Sequence, residues 1–529
     1  MKRLSLFALP LLLATGCIKK NDINFKNVQI DNWQPDWALP IISSDLTLKN
    51  MVKTSTTITE DAGGLYSLHY DSKVFSAKAS DYIKVPNQNY STPVVTLSIP
   101  QTLPSFSGSF TDSSSNHFSY TDTSGAQLAH LSMKSGTISV TINSTFRQTI
   151  NAQVIFPNIT NAGTPLTIPV AITYPATSSS ASVNLAGFTA DMTNGGSTQN
   201  YLAYKIRYTL TGTGQPLAPA DNLYANVGMA DIQYSYIDGY LGHYTIPIPS
   251  DTIGIDVFNN TLTADIFLRN PMIHLTFSNS FGLSASTYFD HLFGLTNSGT
   301  KVYMSLSPIT VGAVTSASQP ATTAYTIDST NSSVQNIFNP APNKVIYDGR
   351  LVINPGTSSG YTFVTDASEL TLSADAELPA WFKILDFALR DTLPLILPED
   401  SSILQKAQFK MLVNNGFPVY GTIQLYFTDS ANIVLDSLIT PQQGTPQQDE
   451  IAQAPVDPSS GKVTGTTQQI TTFEMDHDRY NAMAPRVRHA FVQGTLKSSG
   501  SGTVQIHSSD HIQIKLALRF TLNASTTKL

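Results

Sequence analysis

The first residues that could do chemistry are Asp476-His477-Asp478. Alternate residues of a strand face one side, so both carboxylates could meet one hard cation, which prefers oxygen ligands. The same residues also suit a solvated turn before a short helix, with Asp478 as the N-cap. We favour the turn and predict no metal ion here.

A second group combines His507 with Asp510 and His511. Two imidazoles and a carboxylate across a turn could contribute to a zinc site, but zinc needs a further ligand that the neighbouring sequence does not offer. A tight hairpin explains the same three residues. We therefore predict no metal at this position either.

Three more carboxylates, Asp251, Asp256 and Asp265, have separations that match no calcium-binding loop. The sequence also lacks a Gly-x-Ser-x-Gly elbow, a His-Glu-x-x-His pair and a phosphate-binding glycine loop. We therefore predict no catalytic residues, no cofactor and a non-enzymatic role. The alternative of a catalytic carboxylate pair, as in glycosidases, is left open at this point, because the distance between two carboxylates is determined by the fold.

Tyrosine suits ligand binding by stacking, because its ring packs on apolar surfaces while its hydroxyl forms hydrogen bonds with water. Tyr234, Tyr236, Tyr240 and Tyr244 recur at even spacing, which on one strand places all four on one face. On a solvent-facing sheet they would form a stacking platform for a glycan or a partner protein. In the interior they would form an aromatic core layer, which is the interpretation we favour.

The N-terminus has the layout of a secretory signal peptide over residues 1–16: a basic start, an apolar stretch and small residues before Cys17. Cys17 is the only cysteine in the chain, so the body can have no internal disulfide. The site resembles the lipobox of bacterial lipoproteins, in which such a cysteine is acylated. We expect Cys17 to carry lipid and to hold the protein to a membrane.

Several motifs together resemble those of a large group of uncharacterised surface lipoproteins of the Bacteroidota. They run through most of the chain: Trp33-Gln34-Pro35-Asp36-Trp37, Gly239-Tyr240-Leu241-Gly242, Asn270-Pro271, Asn415-Gly416-Phe417-Pro418 and Asp510-His511-Ile512. The resemblance implies lipid anchoring in the outer membrane and supplies no catalytic residues. We expect the cell surface rather than the periplasmic face. The periplasmic face stays open, because Lys19 and Lys20 stand where surface proteins of this phylum usually carry acidic residues.

Composition restricts the partners. Charged residues are 13% of the chain and the net charge is −7, whereas a nucleic-acid partner requires a basic stripe. We therefore expect no nucleic acid among the partners.

Period-two alternation dominates the pattern, most clearly over His511 to Phe520. Helical periodicity is sparse; its candidates are Tyr288 to Phe293, Leu378 to Phe387 and Asp478 to Ala484. The sequence predicts an all-β protein of tandem β-sandwich domains, immunoglobulin-like or jelly-roll-like, with few short helices.

Turn-rich stretches divide the chain. We expect a lipidated tether and first strand over 17–50, a Ser/Thr-rich β domain over 51–245 and an immunoglobulin-like sandwich over 246–345. A C-terminal sandwich follows over 346–529, with a polar loop at 440–469.

Function is expected to be binding, with the protein as an accessory subunit of an outer-membrane protein assembly. The alternative is a glycan-binding lipoprotein for polysaccharide capture. The resemblance also implies O-glycosylation at an Asp-Ser/Thr-aliphatic-or-small motif, for which the candidates are Thr252, Ser329, Thr392, Ser430 and Ser437.

Overall fold

The structure of the protein is a computed structural model. The structure describes residues 36–51, 57–122, 124–255, 264–317, 319–355, 362–395, 397, 404–440, 449–457, 460–498 and 502–522. Cys17, the signal peptide and Asp256 lie outside these ranges. Strands are numbered β1 to β32, and helices α1 to α4, in chain order.

All strand pairs are antiparallel, and the largest sheet has eleven strands, in the order β22-β13-β7-β11-β8-β12-β6 with four more strands attached. Its members are β4 (Gln88–Ser91), β5 (Val95–Thr96), β6 (Ser109–Ser119), β7 (Gln127–Ser144), β8 (Thr149–Asn161), β9 (Thr164–Ile172), β10 (Ser178–Asn184), β11 (Thr189–Asp191), β12 (Tyr201–Thr211), β13 (Asn222–Tyr240) and β22 (Thr362–Thr365).

Two five-stranded sheets form the middle of the molecule. One contains β2 (Thr57–Glu60), β3 (Tyr66–Lys78), β23 (Glu369–Pro379), β16 (Met272–Asn279) and β20 (Ala321–Ile327), in that spatial order. The other contains β14 (Tyr244–Gly254), β21 (Lys344–Ile353), β17 (Ala285–Leu295), β18 (Lys301–Tyr303) and β19 (Ile309–Val311). Side chains from both, among them Leu275 and Tyr347, meet around one small void, so the two sheets form a sandwich.

The C-terminal sandwich has its own hydrophobic core. Its four-stranded sheet has the order β1 (Asp36–Thr47), β32 (His511–Leu522), β25 (Leu404–Asn415) and β29 (Thr467–Asp476). Its seven-stranded sheet contains β15 (Ala264–Leu268), β24 (Trp381–Pro394), β30 (His489–Ser498), β26 (Val419–Thr428), β27 (Val434–Ser437), β28 (Asp449–Ile451) and β31 (Val504–Gln505). Phe409 of β25 and Phe427 of β26 pack with ring centroids 5.7 Å apart.

Helices are short: α1 (Leu48–Met51), α2 (Ala79–Tyr82), α3 (Val334–Ile337), α4 (His477–Met483) and a 3-10 turn at Ala484–Arg486. The all-β prediction with few short helices is therefore confirmed. Within the described ranges, no helix has the length and apolar character needed to cross a bilayer.

The structure differs from the sequence predictions in two respects. The helix candidates at Tyr288 to Phe293 and Leu378 to Phe387 are strands. The first pairs with β21, and the second covers the end of β23, which pairs with β3, and the first half of β24, which pairs with β15. The proposed domain boundaries near 245 and 345 fall inside β14 and β21. Each sandwich is assembled from distant segments, so cuts at turn-rich stretches do not separate them.

Candidate binding site

A cavity lies against β13, where the pairing of β13 with β7 is irregular. The register shifts between Ala230 and Gln233 and again before Tyr236. Asp231 has a φ of 54° there, a left-handed conformation that Asp adopts more readily than most residues. Opposite, Gly136 leaves room for Ile232, since a Cβ at Gly136 would lie 2.5 Å from the Ile232 side chain. These bulges interrupt the regular pairing of β13 with β7 at the residues that line the cavity.

The cavity has a volume of about 530 Å³, within the range of small-molecule sites, roughly 300–1,000 Å³. Its lining combines charged, amide, hydroxyl and apolar groups: Ser80, Ile83, Lys84, Val85, Asn87, Lys134, Asp231, Ile232, Gln233, Tyr234 and Asp366. Two lysines and two aspartates give a formal charge of zero, and Lys134 Nζ lies 2.6 Å from Asp366 Oδ2. A neutral polar ligand therefore suits this lining better than an ion.

Tyr234 is the most informative of the lining residues. The side chain is 5% exposed, and its hydroxyl has no hydrogen-bond partner among the described residues. Burial raises its pKa, and the neighbouring Tyr244 adds to the shift. An unpaired buried hydroxyl costs about 1–3 kcal/mol. Because the hydroxyl oxygen is itself buried, a ligand recovers part of that cost only if a shift of the lining exposes it.

The expectation that the four tyrosines share one face does not hold, because the bulges of β13 interrupt the alternation. Tyr234 is buried, whereas Tyr236 and Tyr240 are half-buried. Tyr244 begins another strand, and its hydroxyl donates to Ser124 Oγ at 3.5 Å. Their role in stacking on a ligand stays a prediction.

Tyr236 belongs to a second polar group, on the exposed surface of the same sheet. Its ring stacks on Phe363 with centroids 5.9 Å apart, and its hydroxyl donates to Asp238. His130 Nδ1 lies 2.9 Å from Asp238, and His130 Nε2 lies 4.0 Å from Asp191. The Thr193 hydroxyl donates a hydrogen bond to the Asp191 carboxylate, and this bond is the main reason why the pKa of Asp191 is lowered. This group can accept hydrogen bonds beside a flat aromatic surface.

A third polar group crosses the sheet that contains β3 and β23, and no sequence motif predicts it. Thr59 Oγ1 lies 2.9 Å from His69 Nε2, and His69 Nδ1 lies 2.7 Å from Asp375. The order hydroxyl, imidazole, carboxylate is that of a nucleophile, its base and the acid that orients the base. Thr59 lies on an exposed edge strand, where the same bonds also serve to tie β2 to the sheet.

The pattern continues on the next strands. His274 Nε2 lies 2.8 Å from Glu377, and His274 Nδ1 lies 3.1 Å from the Thr326 hydroxyl. The two hydroxyl-imidazole-carboxylate sets thus form a polar ladder across the five strands. Its members are brought together only by strand pairing, since His69 and Asp375 are 306 residues apart.

Of the three carboxylate groups singled out in the sequence, the first two lie in the described residues, whereas Asp256 of the third does not. No group of three or more His, Cys, Asp or Glu side chains able to hold a metal ion occurs in the described part of the chain. The N-cap of α4 is Asp476 rather than Asp478, and its carboxylate accepts a hydrogen bond from the backbone N–H of Arg479. In the third group, Asp251 lies beside the exposed residue Thr252.

His507 and Asp510 are buried at a turn that leads from β31 to β32. The predicted tight hairpin is not formed, because β31 and β32 belong to different sheets and do not pair with each other. The backbone N–H of His507 donates to Asp510 Oδ2 at 2.8 Å, and Asp510 is 3% exposed. Burial is the main cause that raises the pKa of Asp510. His511 instead begins β32, with Nδ1 3.1 Å from the Ser509 carbonyl.

The candidate glycosylation residues differ in access. Thr252, Ser329 and Ser430 are exposed. Ser437 is half-buried and donates to the Ile439 carbonyl. The side chain of Thr392 is not among those that the structure describes.

No protein-family model matches the chain, and no curated protein matches it. Among solved structures, a Parabacteroides distasonis protein described as secreted has 16% identity and a TM-score of 0.31, over 54% of this chain and 88% of its own. The PBSX exported protein XepA has 10% identity and a TM-score of 0.13, over 62% and 99%.

An archaeal virus protein with a triple jelly roll has 10% identity and a TM-score of 0.12, over 78% of this chain and 89% of its own. The jelly roll is an all-β architecture, as is this chain. These TM-scores transfer no function from any of the three proteins.

Proposed function

We propose that this chain is a non-enzymatic, lipid-anchored protein of the bacterial outer membrane, and that it binds a glycan in the cavity beside Tyr234. The observation that carries the glycan assignment is the lining of that cavity. This lining contains the unpaired buried hydroxyl of Tyr234, the side-chain amides of Asn87 and Gln233, and equal numbers of lysines and aspartates.

Sugar hydroxyls both donate and accept hydrogen bonds, so one neutral ligand can serve aspartate, lysine and amide groups together. The apolar side chains of Ile83, Val85 and Ile232 also line the cavity and offer contact to the C–H face of a sugar ring. The outer-membrane location, at the cell surface, rests on the Cys17 motif and the family resemblance.

The test is calorimetric titration of the folded body with a panel of neutral oligosaccharides. Tyr234→Phe removes only the hydroxyl, and Asp231→Asn keeps a residue that tolerates positive φ. Each should weaken binding by about fivefold, the equivalent of roughly 1 kcal/mol for one hydrogen bond. Asp71→Asn, on an exposed strand position, is the matched control. Equal affinity for all four proteins would reject the site.

A second candidate function is that of accessory subunit in an outer-membrane protein assembly. The observation that favours it is the exposure of two adjacent aliphatic residues, Ile433 and Val434, which are 61% and 51% exposed at the start of the edge strand β27 of the C-terminal sandwich. Exposed apolar side chains at sheet edges are contact sites for other proteins. Pull-down from native membranes in mild detergent, with Ile433→Ser/Val434→Thr as the variant, tests this function. A co-purifying membrane protein that the variant loses would support it, and an unchanged set of partners would reject it.

A further inference from the structure

The charge of this protein is unevenly distributed. Over residues 123–220 there are four basic residues, Lys134, Arg147, Lys205 and Arg207, against one acidic residue, Asp191, a formal balance of +3. The whole chain has a net charge of −7. These residues build β7 to β12, whose strands contain Lys134, Lys205 and Arg207 against Asp191. The other aspartates of the eleven-stranded sheet, Asp112, Asp231 and Asp238, lie on β6 and β13, so only the part of the sheet around β12 is basic.

An open cavity of about 450 Å³ lies on this sheet, away from Tyr234. Pairing places Arg207 of β12 beside Gln153 of β8, and Gln153 beside Pro169 of β9. The lining consists of Asn151, Ala152, Gln153, Pro169, Val170, Ala171, Arg207 and Thr209. No carboxylate contributes to it.

The nearest strands do not neutralise Arg207. Strands β6, β8, β9 and β12 contain one acidic residue, Asp112. Asp112 pairs with Tyr208 and accepts a hydrogen bond from its hydroxyl at 3.4 Å. Tyr208 is fully buried, so it points to the face opposite Arg207, its neighbour on the strand.

Lys205 adds a second cation on the same side of β12. It lies two residues before Arg207, so both side chains project from one face of the strand, and both are exposed. Two like charges at this spacing repel each other, and an anion between them would relieve that repulsion.

We propose that the cavity at Arg207 binds the acid group of a negatively charged saccharide. Arginine presents a planar pair of donors that matches a carboxylate or a phosphate. Asn151, Gln153 and Thr209 supply the amide and hydroxyl groups that sugar hydroxyls need, and Pro169 and Ala171 supply an apolar surface for the ring. This site is separate from the cavity beside Tyr234 and does not depend on it.

The experiment titrates the folded body with an oligogalacturonate and, as a matched neutral probe, an oligogalactoside of the same length. Inorganic phosphate and poly-glutamate are the other two probes. The wild type should bind the oligogalacturonate at least tenfold more tightly than the other three, and added salt should weaken that binding. Arg207→Gln should reduce the affinity at least tenfold. Arg207→Lys keeps the charge without the planar donors and should give an intermediate loss.

Arg147→Gln removes another exposed arginine of the same segment and should bind as the wild type does. Thermal unfolding of each variant verifies that it is folded. Equal binding by Arg207→Gln and wild type, or no binding of oligogalacturonate, would overturn the proposal. Phosphate or poly-glutamate that bound as tightly as the oligogalacturonate would overturn the saccharide assignment. Loss of oligogalacturonate binding in Tyr234→Phe, with Arg207→Gln unaffected, would place the acidic sugar in the other cavity instead.

Discussion

Trp37 pairs with Phe520 in the antiparallel ladder that joins β1 to β32. The first and last strands that the structure describes are therefore neighbours in one sheet. Asp36, the first residue that the structure describes, lies next to β32 in the C-terminal sandwich. If Cys17 carries the lipid, this sandwich is the part of the body tethered closest to the membrane.

Lipidation is tested by Cys17→Ser. The substitution removes the only thiol, so we expect loss of the acyl mass and release of the protein from the membrane fraction. Cell fractionation and intact-mass measurement check this. A Cys17→Ser protein that stayed in the membrane at unchanged mass would contradict the anchor.

Leu518→Asp should destabilise the protein severely. Leu518 is 0% exposed and pairs with Leu39 of β1 and Phe409 of β25. Burying an unpaired charge there should cost several kcal/mol, against a typical total stability of about 5–15 kcal/mol. Denaturant unfolding measures the loss, and Lys515→Gln at an exposed position of the same strand is the control. Comparable stability of both variants would show that β32 is not integral.

Asp510→Asn should change stability in a pH-dependent way. Burial raises the pKa of the Asp510 carboxyl above its ordinary value of 3.8 in the folded state. Folding is then favoured while the carboxyl is protonated, and that stability is lost as pH rises through the folded pKa. Asn keeps an acceptor for the His507 N–H but does not ionise. We expect a higher melting temperature than wild type at pH 8 and a smaller difference at pH 4. A difference that did not change with pH would contradict this.

The polar ladder should be structural rather than catalytic. His69 and Asp375 are bonded at 2.7 Å and are 17% and 25% exposed. A double-mutant cycle with His69→Gln and Asp375→Asn should give a coupling energy of about 1 kcal/mol. A fluorophosphonate probe should not label Thr59. Labelling that Thr59→Val and Asp375→Asn both abolished would establish a hydrolase.

Ser329 is the glycosylation candidate with the best access. It is exposed, and the neighbouring Thr330 hydroxyl is engaged with Asp328 at 2.6 Å. Protein from its native host should lose a sugar mass in Ser329→Ala, whereas Ser437→Ala, at a half-buried position, should leave the mass unchanged apart from the lost oxygen. An intact mass equal to the acylated polypeptide would reject the modification.

Local alternation was sufficient to predict β32, because its apolar positions recur every second residue. Even there, Ile512 and Ile514 are only half-buried, while Leu516 and Leu518 are buried, because burial depends on which elements cover each end of a strand. The same rule failed for Tyr234 and Tyr236, since the bulges of β13 carry no clear signal in one sequence.

Sites formed by residues that are far apart in the chain could not be predicted from the sequence, for a different reason. His69 and Asp375 meet because β3 pairs with β23, and Arg207 meets Gln153 because β12 pairs with β8. Each residue alone is an ordinary polar position on an exposed strand face. Such sites become visible only when strand order and register are known.

The pairing of β1 with β32 also determines when the four-stranded sheet can be completed. The amino-terminal segment is synthesised first, but Asp36–Thr47 has its described sheet partner only in His511–Leu522. Until that strand arrives, β1 and one side of β25 expose unpaired backbone groups, a hazard for aggregation. A polypeptide that stopped before residue 511 would keep these edges bare. Closure of this sheet therefore requires that the first and last described strands meet, and its edges stay exposed until they do.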